Sequence, residues 1–460
     1  MFGQEALSQR RDAVDRRISA ALTQPVRLVP LSFFGVIVLG TVLLMLPISH
    51  ADGTVDVMAA AFTTVSAVCV TGLATVDTST YWTPFGQVVI LLLIQVGGFG
   101  IMTLATLLSL LIRGRLGVAG RLRAQAETHA FDVGGGVTRL IRRIAVRMLL
   151  AEAVVAALLT IRFRVAYDDD LGTALWHGVF HAVSAFNNAG FALYSNNLVG
   201  FVTDPFICLP ICAAIIAGGI GYPVYFELAR RWRRPHEWTV HTRLTVGGTA
   251  LLLITGTLAY LAFEWTNPET MGPMSMPEKL LSSVTASVVA RTAGFNTIDY
   301  GAITAATLVI TLVLMFVGGG SAGTAGGVKV TTFFLLGFLI LAEARGEDDV
   351  VVGRRRITAA AQRQAVSVAL LGVGSVTLGT IAVVVVSGLP LDVVAFEVIS
   401  AFGTVGLSTG ITPSLNVPAQ LVVMLLMFTG RVGTVTLASA LALRTRKRYY
   451  HYPETHPIVG

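Results

Sequence analysis

Four short stretches decide how this chain is read: SAVCVTGL (Ser66–Leu73), SAFNNAGF (Ser184–Phe191), VVARTAGF (Val288–Phe295) and SAFGTVGL (Ser400–Leu407). Each closes on a glycine followed by a large apolar residue, and these glycines are Gly72, Gly190, Gly294 and Gly406. They stand 118, 104 and 112 residues apart. A fixed period of this kind marks an internal repeat. A second glycine motif trails each first one: QVGGFG (Gln95–Gly100), IAGGIG (Ile216–Gly221), FVGGGS (Phe316–Ser321) and FTGRVG (Phe428–Gly433). The step from the first glycine to the start of the second glycine group is 25, 28, 24 and 24 residues. Two motifs recurring four times in register imply four copies of one unit.

Around the motifs, each unit has the same layout. Long apolar runs flank them, among them Leu31–Leu46, Val88–Ile112, Leu149–Ile161, Thr304–Val317 and Val366–Val386. Several approach or exceed the ~20 residues that span a hydrocarbon core. Just before each first motif lies a half-length segment: Val55–Val68, Thr173–Ala185, Glu278–Val289 and Val393–Ala401. These are too short to cross a bilayer. The order is therefore membrane helix, re-entrant pore helix, glycine loop, membrane helix. The expected fold is an all-α membrane protein of four such repeats around a central pore, with eight transmembrane helices and pseudo-fourfold symmetry. The expected divisions are a cytoplasmic segment 1–30, repeats at 31–115, 138–231, 243–345 and 357–445, and a cytoplasmic tail 446–460.

Composition agrees. Hydrophobic residues make up 54% of 460 and charged residues 13%, against about 25% charge in a soluble domain. The net charge of +7 raises nucleic-acid binding, but its distribution argues against it. Basic residues cluster at the N-terminus and in Arg113–Arg147, Arg230–Arg243, Arg345–Arg363 and Arg444–Arg448, while Asp52, Asp56, Asp77, Asp168–Asp170, Glu264, Glu269 and Asp299 fall between them. The positive-inside rule puts the basic segments and both termini in the cytoplasm. The acidic loops then face outside, where they concentrate cations. The polar start, with Arg10, Arg11, Arg16, Arg17 and Arg27, reads as an amphipathic surface helix rather than a signal peptide. Cys69, Cys208 and Cys212 lie in apolar surroundings without histidines at ligand spacing, which argues against both disulfides and a metal centre.

Four equivalent loops can surround one axis and aim carbonyl oxygens at it. A ring of carbonyls replaces the hydration shell of K⁺. Glycine suits such a loop because it reaches φ > 0 and puts no side chain in the path. The pore helices end at the loops, and their negative dipole ends favour a cation there. The filter residues on this reading are Val70, Thr71 and Gly72; Asn188, Ala189 and Gly190; Thr292, Ala293 and Gly294; Thr404, Val405 and Gly406. The competing reading is that the glycines only let helix backbones approach.

Taken together, SAVCVTGL, SAFNNAGF, ARTAGFNT and SAFGTVGLSTG resemble the four filter motifs of the Ktr/Trk/HKT potassium transporter superfamily. The likeness runs over nearly the whole chain. Length, eight spans, GGGSAGTAGGVK (Gly318–Lys329) and the arginine of GRVG are most similar to the Ktr membrane subunit; Trk subunits have two further N-terminal spans. The resemblance implies K⁺ as the transported ion, with Na⁺ a second candidate and no organic cofactor in this chain. Relatives with serine at the first filter glycine tend to pass Na⁺, and here that place is Gly72. It also implies a homodimer with one pore per protomer in a bacterial plasma membrane. A KtrA-like cytosolic nucleotide-binding regulatory subunit, sensitive to ATP and ADP, would dock on the cytoplasmic side. The same basic surface also suits anionic lipid.

The second motif suggests a gate. At 1.5 Å per residue, Gly97, Gly218, Gly318 and Gly430 lie ~20 Å along their helices, about mid-membrane. Six glycines in ten residues, Gly318–Gly327, should interrupt a helix, since each costs ~1 kcal/mol there relative to alanine. The alternative is a tight packing face. Arg431 stands where two other repeats have Gly98 and Gly219, and a charge at that depth faces a cavity or a partner. The expected gate is Gly318, Gly319, Gly320, Ser321, Ala322, Gly323, Thr324, Ala325, Gly326 and Gly327 with Lys329 as anchor and Arg431 as barrier; the bland alternative for Arg431 is a buried ion pair. Gly327–Val328–Lys329 departs from a phosphate-binding loop.

Other residues receive structural readings. Glu152, placed near a helix start, is expected to pair with an arginine such as Arg147 rather than relay protons. Glu397 should anchor the fourth loop. His177 and His181 have metal-ligand spacing but no third ligand, so packing is expected. Trp82, Trp176 and Trp265 are expected at the outer interface. Two rival functions stand beside the pore. One is a Na⁺-coupled secondary transporter with alternating access, which broken helices also suit. The other is a membrane enzyme, for which no nucleophile–base pair or nucleotide motif is present.

Overall fold

The computed structural model describes residues 25–114 and 136–433. The expected surface helix before Pro25, the basic residues between 115 and 135, and everything from 434 onward lie outside the described residues.

Each repeat holds one short helix between two longer elements. The short helices are Val57–Val68, Leu171–Phe186, Met276–Val289 and Leu391–Gly403. Their starts are written in the sequence. The Asp56 side chain accepts from the amides of Met58 and Ala59, and Asp170 does the same for Gly172 and Thr173. The Glu278 carboxylate reaches back to the Ser275 amide at 2.7 Å. A carboxylate at the first turn satisfies otherwise orphaned N–H groups and opposes the helix dipole. These helices are shielded by the rest of the molecule. Phe62, Phe180 and Phe396 are fully buried, and the short helix of repeat 3 buries Ser282, Ser283, Thr285 and Ser287 beside Val288 and Val289.

The first long elements are Pro25–Leu44, Gly136–Ala166, Val240–Glu264 and Ala359–Ser387. Their outer faces are apolar and open, as at Leu150, Ile161, Leu258, Leu378 and Val385. Contiguous apolar faces of this extent need lipid or another protein as solvent. Among the described residues, four helices are long and apolar enough to cross a membrane, or five if one bent pair counts as a span.

The second long elements explain most of the shortfall, because three of the four are broken at the second glycine motif; the other long element that falls short is the first of repeat 1, apolar over Pro30–Leu44. Repeat 1 runs unbroken over Pro84–Gly114. In repeat 2, Pro205–Ile220 and Tyr222–Arg231 meet at a bend of 103°, with Gly221 at φ +92° between them. In repeat 3, Ala305–Phe316 stops and Val330–Ala344 resumes, leaving 317–329 irregular. In repeat 4, Val417–Phe428 passes into a π-turn over Thr429–Gly433, a distortion that recurs at functional sites. A two-stranded hairpin, Val351–Val352 with Arg355–Arg356, joins repeats 3 and 4.

Two expectations about placement are corrected. Trp82 is 2% exposed and packs on His50 and Tyr81, while half-buried Trp176 donates its indole N–H to Gln87 at 3.0 Å. Both are engaged inside the protein, so of these three tryptophans Trp265 alone stays exposed. Glu152 sits in the middle of Gly136–Ala166 rather than near its start.

Candidate functional site

The four glycine loops share one backbone conformation. The first residue of each triplet has positive φ: Val70 56°, Asn188 60°, Thr292 68° and Thr404 48°. So does each closing glycine: Gly72 94°, Gly190 71°, Gly294 70° and Gly406 95°. The middle residues Thr71, Ala189, Ala293 and Val405 do not. Alternating the sign of φ along three residues turns successive carbonyls toward one side instead of opposite sides. Three of the first residues are β-branched, for which φ > 0 is a genuine outlier. Strain of this kind persists only where surrounding contacts enforce it, and it clusters at functional sites.

Those contacts repeat as well. The amides of Thr71, Ala189 and Val405 bond back to the carbonyls of Ser66, Ser184 and Ser400 at 2.8, 2.7 and 2.8 Å. The Gly72 and Gly406 amides bond to the hydroxyls of Ser66 and Ser400 at 3.0 and 3.1 Å. Repeat 3, with Val288 in that place, uses the Val289 carbonyl for Ala293 at 3.1 Å. Each loop is thus tied to the end of its own short helix.

The loops close into a ring. A Cβ built on Gly72 would stand 3.2 Å from the Gly190 Cα; on Gly190, 2.9 Å from Gly294; on Gly294, 3.0 Å from Gly406; and on Gly406, 3.1 Å from Gly72. Each would also press on a carbonyl oxygen of the next loop, those of Ala189, Ala293, Val405 and Thr71 in turn. The four glycines meet around one axis in chain order, and a Cβ at any of them would force neighbouring backbone to shift.

The second-motif glycines perform a different task. A Cβ on Gly97, Gly218 or Gly430 would collide with the carbonyl oxygen of Val68, Phe186 or Phe402, the ends of the short helices. Gly318 would meet Gly326 instead. Glycine here lets the second helix press on the base of its own loop.

The break at 317–329 lies under the ring as an ordered strap. Backbone bonds fasten it at both ends and in the middle: Gly318 N to Val328 O at 2.8 Å, Gly320 N to Gly219 O at 2.8 Å, Thr324 N to Gly218 O at 3.1 Å and Val330 N to Gly319 O at 3.0 Å. Irregular backbone at membrane depth needs this satisfaction. The strap touches three loops. Thr324 Oγ1 donates to Asn188 Oδ1 at 2.8 Å in repeat 2. A Cβ on Gly318 would stand 3.5 Å from the Thr292 side chain of repeat 3, and one on Gly326 would press on Thr404 of repeat 4. Ser321 and Ala322 pack on the bend at Gly221. The helix interruption expected from the six glycines is present.

Arg431, 2% exposed, donates one guanidinium nitrogen to the Thr324 carbonyl and reaches the Gly97 carbonyl with another at 3.5 Å. It therefore bridges repeats 4, 3 and 1. Its partners are backbone carbonyls, so the ion-pair alternative fails among the described residues. Lys329 Nζ donates to the Ala325 carbonyl and clips the strap to its own end. Arg291, unremarked in the sequence, donates to the Gly318 carbonyl at 3.0 Å. Only its place beside the third triplet could have drawn attention to it.

The remaining residues resolve as follows. Glu397 accepts from Ser408 at 2.7 Å and from Thr412, holding the chain as it leaves the fourth loop. The His181 ring bonds the His177 carbonyl at 2.7 Å and the Leu193 amide at 3.3 Å, and His177 meets Tyr194 Oη at 2.9 Å. Both are packing histidines. The pairing of Glu152 with Arg147 is corrected. Arg147 stacks on Phe226 at 3.8 Å, and Glu152 turns to Gln95 and Asn187. The three cysteines are free and buried.

Comparison with known proteins bears on the family and the fold. A family model described as TrkH, cation transport protein, matches residues 8–448. The Ktr system potassium uptake protein B of Bacillus subtilis is 38% identical over 446 residues, covering 97% of this chain and 99% of its own length. The potassium/sodium uptake protein NtpJ of Enterococcus hirae is 33% identical over 445 residues, covering 95% and 97%. The crystal structure of the potassium transporter TrkH from Vibrio parahaemolyticus shares the fold with a TM-score of 0.70 at 17% identity, across 90% of this chain and 84% of that one. A family model spanning nearly the whole sequence, and relatives above 30% identity at almost full length, make this chain a member of the TrkH family of cation transport proteins.

Proposed function

We propose that this chain is the membrane subunit of a Ktr-type potassium uptake system, passing K⁺ through a filter of backbone carbonyls at Val70–Gly72, Asn188–Gly190, Thr292–Gly294 and Thr404–Gly406. The observation that carries this is the closed ring of Gly72, Gly190, Gly294 and Gly406, each loop with the same alternation of φ. Carbonyls facing one axis can replace the water shell of a dehydrated cation. The strap Gly318–Gly327, with Lys329 and Arg431, is the gate. It lies across the base of the ring, and Arg431 sets a fixed positive charge beside the path, which opposes cation passage. The names of the relatives, Ktr system potassium uptake protein B and potassium/sodium uptake protein, support K⁺ as cargo, with Na⁺ as competitor or co-ion. A homodimer in a bacterial plasma membrane, termini inward, regulated by a nucleotide-binding cytosolic subunit, completes the reading.

The test is uptake in a bacterial strain lacking its own K⁺ uptake, with a Ktr-type regulatory subunit co-expressed. The native chain should restore growth at low K⁺. Gly72→Ser, a residue at φ +94° against the Ala189 carbonyl, should lose preference for K⁺ over Na⁺. Unchanged preference in a well-expressed Gly72→Ser chain would remove the filter. It would advance the alternating-access reading, which the 103° bend and the broken third repeat also suit.

A further inference from the structure

One buried polar cluster remains unused by the filter and gate. Glu152, 4% exposed, stands on the first helix of repeat 2. Its Oε2 accepts from Gln95 Nε2 at 3.0 Å and its Oε1 from Asn187 Nδ2 at 3.1 Å. Asn187 Nδ2 also donates to Gln95 Oε1 at 3.0 Å and to the Val183 carbonyl at 2.9 Å. Gln95 comes from the second helix of repeat 1, two residues before Gly97. Asn187 ends the short helix of repeat 2 and immediately precedes Asn188, the strained first residue of the second filter triplet. Three side chains from two repeats thus converge behind one filter loop.

The other repeats place Cys69, Arg291 and Gly403 at the position of Asn187. Among the described residues, only Asn187 is tied there to a carboxylate of an outer helix. The second helix of repeat 1 is shaped around it, since a Cβ on Gly98 would collide with Asn187 Oδ1. Among the described residues no basic side chain takes the place of Arg147 beside Glu152; its two oxygens are engaged by the amides of Gln95 and Asn187. A carboxylate kept at such depth is expensive and is retained for a task. Amide donors with fixed geometry orient a neighbour better than a mobile cation does. Asn188 holds its unusual φ and carries the strap contact to Thr324, so a shift of Asn187 moves the first residue of that loop and its tie to the strap.

We propose that Glu152, acting through Asn187, is a positioning residue that sets the geometry of the second filter loop and hence its preference for K⁺ over Na⁺. The proposal rests on the filter reading above. It predicts a role that breaks the fourfold symmetry of the ring, one loop being held from behind by the neighbouring repeat.

The experiment is a double-mutant cycle in proteoliposomes holding the full chain with its regulatory subunit, reading K⁺ uptake, KM for K⁺ and competition by Na⁺. Glu152→Ala and Asn187→Ala should each raise KM roughly tenfold, the size expected from losing buried hydrogen bonds, and each should let Na⁺ compete better. The double variant should be no worse than Asn187→Ala alone, because the two act as one unit. Glu152→Gln keeps the shape and one acceptor and should stay within about threefold of native; it also serves if the alanine variant fails to fold. Multiplying effects in the double variant, or a glutamine variant as impaired as alanine, would overturn the positioning role. Gly72→Ser measured alongside separates the two failures. If it loses selectivity while the Glu152 and Asn187 variants keep native KM and preference, the positioning role alone falls. If Gly72→Ser is also without effect, the filter itself is wrong.

Discussion

At the scale of single residues, glycine does two jobs here that the sequence does not distinguish. Gly72, Gly190, Gly294 and Gly406 are needed for φ > 0 and for closure of the ring. Gly97, Gly218 and Gly430 have ordinary backbone angles and are needed because a short helix ends against them. Gly430→Ala drives a methyl into the Phe402 carbonyl, so it should cost about 1–3 kcal/mol by overpacking and lower the melting temperature of the purified protein. Gly35→Ala, inside the helix Pro25–Leu44 where a Cβ meets nothing within 4 Å, should not lower melting and should raise it slightly through helix propensity. Equal melting of both variants would show that these approaches relax freely. The spacing of all eight glycines was readable in the sequence. Which job each performs was not, because that depends on what another segment brings within 4 Å.

At the scale of elements, identifiable side-chain ties add to the backbone bonds that hold the strap. Arg431 binds the Thr324 carbonyl, Thr324 Oγ1 binds Asn188, and Lys329 binds the Ala325 carbonyl. Arg431→Ala removes both a tie and a positive charge from the path. Passive K⁺ flux into proteoliposomes should rise about tenfold or more, the effect of lowering a barrier by ~1.4 kcal/mol. Thr324→Val removes only a tie and should raise flux less. Unchanged flux in a folded Arg431→Ala protein would sink the gate role. The break itself was legible from six glycines in ten residues. Its destination was not: no local rule says that a strap of repeat 3 pairs with Gly218 and Gly219 of repeat 2. The bend after Ile220 and the π-turn at Thr429–Gly433 also escaped the sequence reading, since apolar periodicity continues through both.

At the scale of the whole molecule, four homologous units build a ring that is symmetric in backbone and asymmetric in support. Loops 1 and 4 tie their glycine amide to a serine hydroxyl, loop 2 adds a network with Glu152 to the Ser184 hydroxyl, and beside loop 3 the guanidinium of Arg291 reaches the strap. The apolar faces left open on the long helices suit lipid, and the proposed homodimer would cover part of them. Light scattering of the purified protein in mild detergent should give twice the protomer mass after the detergent contribution is removed. A stable monomer with full transport activity would refute the dimer.

What the sequence determined by itself is the repeat, the order of long and short helices within it, and the position of every loop glycine. These follow from local facts: apolar run length, and a motif recurring at an even period. What the tertiary structure alone decided is which side chains meet. Glu152 finds Asn187 across 35 residues and Arg431 finds Gly97 across 334. Glu152 therefore left its expected arginine, and Arg431 found carbonyls instead of an acid. The physical reason is that a buried charge takes whatever partners the packing of helices from different repeats delivers, and sequence distance carries no record of that packing.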